Sequence, residues 1–572
     1  MSVGDRYDSA QAISITNAEQ LFTMQPSCVE LLDQQFSVQS LVGRLCPVLL
    51  DDGTVALFAL AEHVGSDQAD ELSRRIVQQG YRPASPARYI LAAPLLLAIG
   101  RRQLLLSSGL ATAVGAVEHS TTALADAFQD LVEWGVRHHA SDLHINLLQG
   151  EAVSEVRYTV AGRYVAPECF RGMPTSMLSD MLAVAWMDIR GGNGAVFDPL
   201  SEQQGSIVKT VSGQRVMLRW ASLAAERGPS VCLRLLVRAT DAMAPDLQEL
   251  GYLPDQVRQI QRSLMAEGGA VVFAGTVGSG KSTTLASLIS RLPDDRKVIT
   301  VEDPVEYLIP GAIQNTVARA LDVDAHDHYA AKLRALKRSA MSDVLLGEIR
   351  DAETGLAFMD LAGSGVSIYS TVHAPSAALV AERLASDFIG VSRDFLATPG
   401  MLKLLVYQAL LPVLCLNCAL PADSLLEGAG RGQWQASLDT ITAVYGDISS
   451  GLKVRNPEGC SACREAQLMS LAGYAGRTVA AEILEPALRP GYLHSVQTRC
   501  LQYWLENEQE QSLSPMAMEN TRRSAMDSAM IKAFQGLIDP RDIESRFQSF
   551  QTLRLRRQLD TAHKPAHLRV IS

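Results

Sequence analysis

The sequence predicts an α/β protein whose central part is built on a mainly parallel sheet. Two observations carry that expectation. From about residue 245 to 500, short apolar runs alternate with longer stretches of helical periodicity, the pattern of successive strand–helix–strand units. Inside that region Gly275-Thr276-Val277-Gly278-Ser279-Gly280-Lys281-Ser282 lies between an apolar run, residues 270–274, and a helical stretch, residues 282–292. A glycine-rich loop between a strand and a helix is a phosphate cradle, because glycines let backbone N–H groups wrap an anion at a helix N-terminus. The chain has 572 residues, of which 47% are hydrophobic and 20% charged. These values exclude a disordered chain, a collagen-like repeat and a small disulfide scaffold. By length alone about three or four domains are expected.

The N-terminal residues, 1–30, are polar and patternless and are expected to be flexible. A small α/β domain follows over 31–118. Residues 47–50 and 54–60 read as two strands around the turn Asp51-Asp52-Gly53. Gly65-Ser66-Asp67 opens an amphipathic helix that stops at Gly80, and Ser85-Pro86 opens a second one through Leu97. A third segment, 119–240, begins with a helix over 122–137. It continues through strands such as 153–158, 215–220 and 231–237, with a boundary near 238–245. Residues 241–500 form the phosphate-loop domain. The last segment, 501–572, is helical and polar and ends in a basic tail with Arg554, Arg556, Arg557, Lys564 and Arg569.

The 51 Lys and Arg against 62 Asp and Glu give a net charge of −11, and the pI is near 5.6. That balance argues against non-specific nucleic-acid binding, which runs on counterion release by cationic side chains. No basic-then-apolar leader opens the sequence. The apolar runs 90–100 and 401–416 fall short of the roughly 20 residues a membrane span needs, and both read as buried helices. Nine cysteines without an export signal point to a reducing compartment, so a cytoplasmic location is expected.

The residues after the loop define its chemistry. Lys281 would reach the β- and γ-phosphates of ATP, and the Ser282 hydroxyl would ligate Mg²⁺. Gly275, Thr276, Gly278, Ser279, Gly280, Lys281, Ser282 and Thr283 form the nucleotide-binding set, joined by Glu302. The β-branched run 298–301 delivers Glu302-Asp303-Pro304-Val305-Glu306 to a strand end. A second buried run, 344–346, ends in Gly347-Glu348-Ile349-Arg350-Asp351. Carboxylates delivered by strand ends beside a phosphate site suit water activation and Mg²⁺ organisation. A fourth run, 366–371, ends at Val372-His373, where a histidine can sense the γ-phosphate. Separately, Cys415-Leu-Asn-Cys418 and Cys460-Ser-Ala-Cys463 are two C-x2-C turns, whose four thiolates can surround one tetrahedral Zn²⁺. Cys28, Cys46, Cys169, Cys232 and Cys500 are scattered and read as ordinary core or surface residues.

The order GTVGSGKSTTL, ITVEDPVEY, LLGEIRD, STVHA resembles the secretion ATPase superfamily. More narrowly it resembles the traffic ATPases that power type IV pilus assembly and type II secretion. The likeness covers most of the chain: residues 47–102 resemble that family's N-terminal docking domain, 140–145 its ASDIHIE segment and 527–547 its C-terminal helical segment. It implies a RecA-like ATPase core preceded by a PAS-like α+β domain over 119–240. Glu306 would then be the general base, Glu348 the Walker B glutamate and His373 the second histidine of the His box. Arg219 and Arg234 match the arginine pair that the preceding domain sends to nucleotide phosphates in the ring. The tetracysteine element, about 412–480, is followed in the family by GYxGR, here Gly473-Tyr474-Ala475-Gly476-Arg477, which implies a structural zinc.

Three departures stand out. Ala340-Met341-Ser342 replace the family's DPD, Val366 replaces the first His of the His box, and Val372-His373-Ala374-Pro375-Ser376 replace LHTND. They fall on supporting groups while Lys281, Glu306, Glu348 and His373 remain, which implies retained but slowed hydrolysis and a divergent branch, such as the type IVb or conjugative thin-pilus ATPases. The resemblance implies a homo-hexamer peripheral to the inner membrane. It would work with an inner-membrane platform protein and a cytoplasmic docking partner, without specific nucleic acid, to extrude pilin subunits. A type II secretion motor is the alternative. A retraction motor, a non-hydrolysing ring subunit and a DNA translocase are the weaker rivals.

Overall fold

The computed structural model describes residues 12–15, 20–21, 24–33, 35–36, 45–61, 63–91, 96, 99, 110–238, 244–317, 332–333, 335–427, 430–446, 451–464, 468–509 and 523–562. It divides into two units, Met1–Val160 with Ala166–Leu236, and Ala161–Val165 with Val237–Ser572.

The first unit opens with a sheet in the order Ile13–Ile15, Arg82–Leu91, Thr54–Ala59, Leu45–Leu50, Cys28–Leu31. The expected hairpin forms: Leu45–Leu50 pairs antiparallel with Thr54–Ala59. Asp52 caps the turn by accepting from the Thr54 N–H at 2.9 Å, and Gly53 takes φ +77°, a conformation open to glycine without strain. The helix Asp67–Gln78 starts where Ser66 Oγ accepts from the Ala69 N–H and buries Ala69, Leu72 and Ile76.

One expectation fails in this sheet. The helix expected from Ser85 is the strand Arg82–Leu91, parallel to Thr54–Ala59. Pro86 does not break it, because the ladder shifts register between Val55 and Leu57 and the missing N–H falls at that irregularity. Of the run 90–100, Ile90 and Leu91 finish the strand, and 92–95, 97–98 and 100 lie outside the described residues. The N-terminal 30 residues, expected to be flexible, contribute the strands Ile13–Ile15 and Cys28–Leu31. Segments of three and four residues are too short to show a readable period, and residues 1–11 lie outside the description.

A second sheet of the same unit runs Gln203–Val211, Gln214–Leu223, Ser230–Arg238, Ala140–Asn146, Val153–Val160, with antiparallel pairing in the ladders between Gln203–Val211 and Gln214–Leu223 and from Ser230–Arg238 through Val153–Val160. Helices Leu110–Arg137 and Thr175–Trp186 belong to this α+β segment. Tyr158 and Trp220 are buried in it, and Tyr158 is tied by its hydroxyl to the Leu131 carbonyl at 2.9 Å.

The second unit holds the parallel sheet. Its order is Ile313–Thr316, Val298–Glu302, Asp343–Leu346, Ser367–Val372, Ala270–Ala274, Leu402–Leu414, Tyr474–Leu484. Every ladder is parallel except the last. The loop-bearing strand Ala270–Ala274 therefore sits between Ser367–Val372 and Leu402–Leu414, and the next strand in sequence, Val298–Glu302, lies three places away. That is the strand order of a RecA-like core. Helices cover both faces, and Ala270–Ala274, Asp343–Leu346 and Ser367–Val372 are buried throughout, as a doubly covered parallel sheet requires. Residues 401–416, expected as a buried helix, instead supply the strand Leu402–Leu414. A continuous apolar run has the same signature in either state, and pairing with neighbours on both sides decides it. Among the described residues no helix is long and apolar enough to cross a membrane.

The C-terminal helices close over the last strand. Lys532, on Ala525–Phe534, is buried and donates to Thr478 Oγ1 at 2.7 Å and to the carbonyls of Gly251 and Val479. With no acidic partner named among these contacts, burial brings its pKa down to about 8. Below that pH Lys532 is charged in both the folded and the unfolded chain. Between about 8 and the unfolded value near 10.4 only the unfolded chain holds the proton, so this residue's contribution to stability rises with pH. The stability difference between wild type and Lys532→Met is expected to grow in favour of wild type from pH 7 to pH 10, by at most on the order of 3 kcal/mol. Paired urea titrations at the two pH values check it.

Candidate nucleotide site and cysteine cluster

The phosphate loop leaves the buried strand Ala270–Ala274 and enters the helix Lys281–Ile289. Its glycines are required by space and by backbone angle. A Cβ on Gly275 would stand 2.5 Å from both the Gln408 carbonyl oxygen and Ser279 Oγ. Gly278 and Gly280 take φ +74° and +86°, and Gly280 is the left-handed N-cap of the helix. Lys281 Nζ donates to the carbonyls of Gly275 at 2.9 Å and Thr276 at 3.0 Å. Ser279 Oγ is buried with no hydrogen-bond partner, and Ser282 is exposed at the helix start. A loop with an inward-facing lysine, an orphaned hydroxyl and open backbone angles fits a polyphosphate.

The neighbouring strands deliver the acids expected of them. Val298–Glu302 ends at Glu302, whose Oε1 accepts from Thr300 Oγ1 at 2.6 Å and Gln314 Nε2 at 3.1 Å. Glu306 follows in the loop beyond and is half-buried. Asp343–Leu346 ends just before Gly347 and Glu348. Ser367–Val372 ends at His373, which joins the pieces: Nδ1 lies 2.9 Å from the Gly275 carbonyl and Nε2 lies 3.1 Å from Glu348 Oε1. Both partners are acceptors, so both contacts are satisfied when each ring nitrogen carries a proton. Burial lowers the Lys281 pKa, and the charges of Glu348 and Glu306 oppose that shift, which marks both carboxylates as electrostatic neighbours of the ammonium. A small pocket beside the loop is lined by the polar side chains of Ser282, Glu302, Tyr307 and Thr371 together with Leu285, Ala286, Ile309, Leu345 and Gly347. Its hydroxyl and carboxylate oxygens are donors of the kind Mg²⁺ takes.

Arg219 and Arg234 lie in the first unit, on Gln214–Leu223 and Ser230–Arg238. Arg234 Nε pairs with Asp142 Oδ1 at 3.1 Å, on the facing strand.

Three contacts of the loop were not anticipated. Gln408 is fully buried on Leu402–Leu414, where its amide donates to the Ser279 carbonyl at 2.7 Å and its Oε1 accepts from the Tyr252 hydroxyl at 2.5 Å. A glutamine that interrupts the apolar run after Lys403 was the available signal. Thr283 Oγ1 meets the Tyr307 hydroxyl at 2.9 Å. Arg546, from the C-terminal helix Pro540–Arg546, donates to Thr276 Oγ1 at 2.7 Å. No sequence signal singles out Arg546, because nothing local connects residue 546 to residue 276.

The two C-x2-C turns meet at the end of the antiparallel ladder between Leu402–Leu414 and Tyr474–Leu484. Leu414 pairs with Tyr474 there, and the Cys415 N–H donates to the Gly473 carbonyl. The sulfurs of Cys415, Cys418, Cys460 and Cys463 all lie within 4.8 Å of one another. Cys415 to Cys460 is 3.8 Å, Cys418 to Cys463 is 3.6 Å and Cys460 to Cys463 is 3.8 Å. Sulfurs each about 2.3 Å from one tetrahedral zinc stand about 3.8 Å apart, so the spacing fits. Burial raises the thiols of Cys415 and Cys418, whereas at Cys463 the N–H bonds from Cys460 and Gly473 and the neighbouring thiols outweigh burial and bring the pKa down to about 7.

Residues 118–538 match the family model described as "Type II/IV secretion system protein". The chain is 31% identical over 353 residues to type II secretion system protein E of Klebsiella pneumoniae, covering 61% of this chain and 63% of that protein. It is 29% identical over 352 residues to type II secretion system protein HxcR of Pseudomonas aeruginosa, again 61% and 63%. It thus spans less than two thirds of the length of these relatives. Among solved structures it is similar to the Legionella pneumophila ATPase DotB, with TM-score 0.46, 20% identity and coverage of 73% of this chain and 94% of that one. It is also similar to the pilus retraction motor PilT with bound ADP, with TM-score 0.43, 19% identity and coverage of 74% and 96%.

The Gln408 contacts yield a stability expectation. Gln408→Met keeps the volume but leaves the Ser279 carbonyl and the Tyr252 hydroxyl unpaired in the interior, at a cost of about 1–3 kcal/mol. Tyr252→Phe, which orphans only one acceptor, should cost less. Denaturant unfolding of the two variants checks the order.

Proposed function

The chain belongs to the type II/IV secretion system protein family, and from that premise we propose that it is an ATPase motor that drives extrusion of filament subunits, as in type IV pilus assembly. The observation that carries the chemistry is the His373 bridge, which ties the phosphate-loop carbonyl of Gly275 to the carboxylate of Glu348. Loop, Walker B acid and histidine thereby form one contact set at the carboxyl ends of adjacent strands, where open α/β sheets bind ligands.

In this reading the loop amides and Lys281 bind the β- and γ-phosphates, with Lys281 giving up its carbonyl contacts to do so. Ser282, Glu302 and Glu348 supply oxygens for Mg²⁺, which when bound neutralises charge on the transferring phosphoryl group. Glu306 accepts the proton of the attacking water, and His373 reports the occupied γ-position to Glu348. Arg219 and Arg234 act on a neighbouring subunit's nucleotide in a homo-hexamer, peripheral to the inner membrane and coupled to a platform protein. The four cysteines would hold a structural Zn²⁺, which would tie the insertion to the ends of the two antiparallel strands.

A second reading, a type II secretion motor, is favoured by the names of the relatives above. The two share the ATP chemistry and differ in cargo.

Mg²⁺-dependent ATP hydrolysis is expected from the wild type, with a fall of roughly 10²–10⁴-fold in Glu306→Gln, the range for loss of a general base. Equal rates would sink the motor proposal. In a deletion strain complemented with Lys281→Ala, loss of filaments by electron microscopy supports assembly. Unchanged filaments with lost exoprotein export support secretion, and excess filaments would point to retraction. For the cysteines, elemental analysis should find one zinc per chain in wild type and little in a Cys418→Ser/Cys463→Ser double variant. Equal metal content in both would remove the zinc assignment.

A further inference from the structure

Arg546 carries charge into the phosphate loop from the far end of the chain. Its Nη2 donates to Thr276 Oγ1 at 2.7 Å, and its Nε–H is buried with no partner. Among the described residues the guanidinium makes no ion pair. The acids on its own helix are engaged elsewhere: Asp542 accepts from the Tyr474 hydroxyl at 2.7 Å and Arg163 at 3.1 Å, and Glu544 accepts from the Phe550 N–H at 2.8 Å. Across from it, Tyr407 pairs with Ala274, the last residue of the loop-bearing strand. Burial raises the Tyr407 pKa, and the Arg546 charge pulls it back, which marks the guanidinium as an electrostatic neighbour of that tyrosine.

The position of the helix is fixed from several sides. Asp539 caps it, accepting from the Arg541 N–H at 2.9 Å and also from the Arg455 N–H at 2.8 Å. Ile543 is fully buried in the C-terminal cluster. Arg546 is thus presented by a packed element.

Thr276 is held from two directions, with Lys281 on its carbonyl and Arg546 on its hydroxyl. Two cationic groups converge on one loop residue, and a half-buried guanidinium with an orphaned N–H is costly unless an anion completes it. We infer that Arg546 is a positioning residue of the nucleotide site: through Thr276 it sets the phosphate loop, and its charge favours the polyphosphate of ADP or ATP bound there. The inference rests on the nucleotide reading above. It adds to it a contribution made within one chain by the C-terminal segment.

Such a residue acts on binding more than on chemistry. Arg546→Ala should therefore raise the Kd for ADP, measured by titration calorimetry, by roughly 10- to 100-fold, the range for a lost charge-assisted hydrogen bond. The KM for Mg-ATP should rise in parallel while kcat changes little. Arg546→Lys keeps the charge without the fork and should recover part of the affinity. Thr276→Val should weaken ADP binding less than Arg546→Ala, and the double variant should fall short of the summed effects, because the two side chains act together. Arg556→Ala, an equal loss of charge at an exposed position of the helix Phe550–Ala562, should leave the Kd unchanged. Wild-type ADP affinity in a folded Arg546→Ala protein would overturn the inference, even if its unfolding midpoint falls, since a purely structural clamp moves stability and not Kd. Equal weakening by Arg556→Ala would reduce it to general surface charge and overturn it as well. Wild-type protein that binds no ADP would overturn the nucleotide reading itself, a result separable from either.

Discussion

The first glycine of the phosphate loop is wedged between the Gln408 carbonyl and the Ser279 hydroxyl, each 2.5 Å from where a Cβ would stand, and the arrangement of the site follows from that closeness. Without a side chain the chain can turn sharply off Ala274 while Leu402–Leu414 stays in register beside it. The turn points the Gly275 carbonyl to where both Lys281 and His373 reach it, at 2.9 Å each. Any residue larger than glycine would push the loop off that strand and separate the two contacts. The glutamine amide that donates to Ser279 then stiffens the loop from below, and the Tyr252 hydroxyl fixes the amide in turn.

A parallel sheet places all its strand ends on one side, so groups distant in sequence converge there. Gly275, Glu302, Gly347 and His373 each come directly after or at the end of a neighbouring strand. The convergence has an electrostatic consequence. The partly buried Lys281 is disfavoured as a cation by desolvation, and Glu348 and Glu306 oppose that effect without cancelling it. The same carboxylates cannot all stay close to a triphosphate of like charge without a divalent cation among them. The acid cluster and the cation requirement of the proposed chemistry are therefore one feature seen from two sides.

How much of this was readable in sequence depends on how local each signal is. The loop, the three strands after it and their terminal acids are each encoded within about ten residues, and the structure puts them where the pattern implied. The cysteine pairs were readable as ligands, while the ladder that brings them together, from Leu405↔Leu484 to Leu414↔Tyr474, was not. The run 401–416 reads as a helix because apolar composition does not distinguish a helix from a strand buried on both faces, and the segment after Ser85 because Ser-Pro is a helix-start signal that pairing with a distant strand overrides. Their state is set by partners far away in sequence, Ala270–Ala274 for one and Thr54–Ala59 for the other. Arg546 was invisible for the same reason in stronger form, since its meaning exists only once residues 276 and 546 are in contact.

The family departures can be weighed by where they fall along the strands. Ala340-Met341-Ser342 precede Asp343–Leu346, and Val366 precedes Ser367–Val372, so both changes sit at amino ends of the sheet. At roughly 3.3 Å per residue, four to six residues of strand separate them from the carboxyl ends where Glu348 and His373 stand. At the amino ends the substituted residues have an alternative arrangement. Met341 and Val366 pack on the apolar cluster of the sheet. The adjacent Asp343, fully buried, is gripped by Arg296 at 2.6 and 2.7 Å and by the Tyr369 hydroxyl at 3.1 Å. Apolar packing and one buried ion pair thus hold this edge, and the Ser367 N–H reaches the Ser342 carbonyl at 3.1 Å. At the other edge, where Val372-His373-Ala374 differs from the family pattern, the histidine and both of its contacts remain. The departures therefore fall on what supports the strands from behind and leave in place the groups that the strands present at their carboxyl ends.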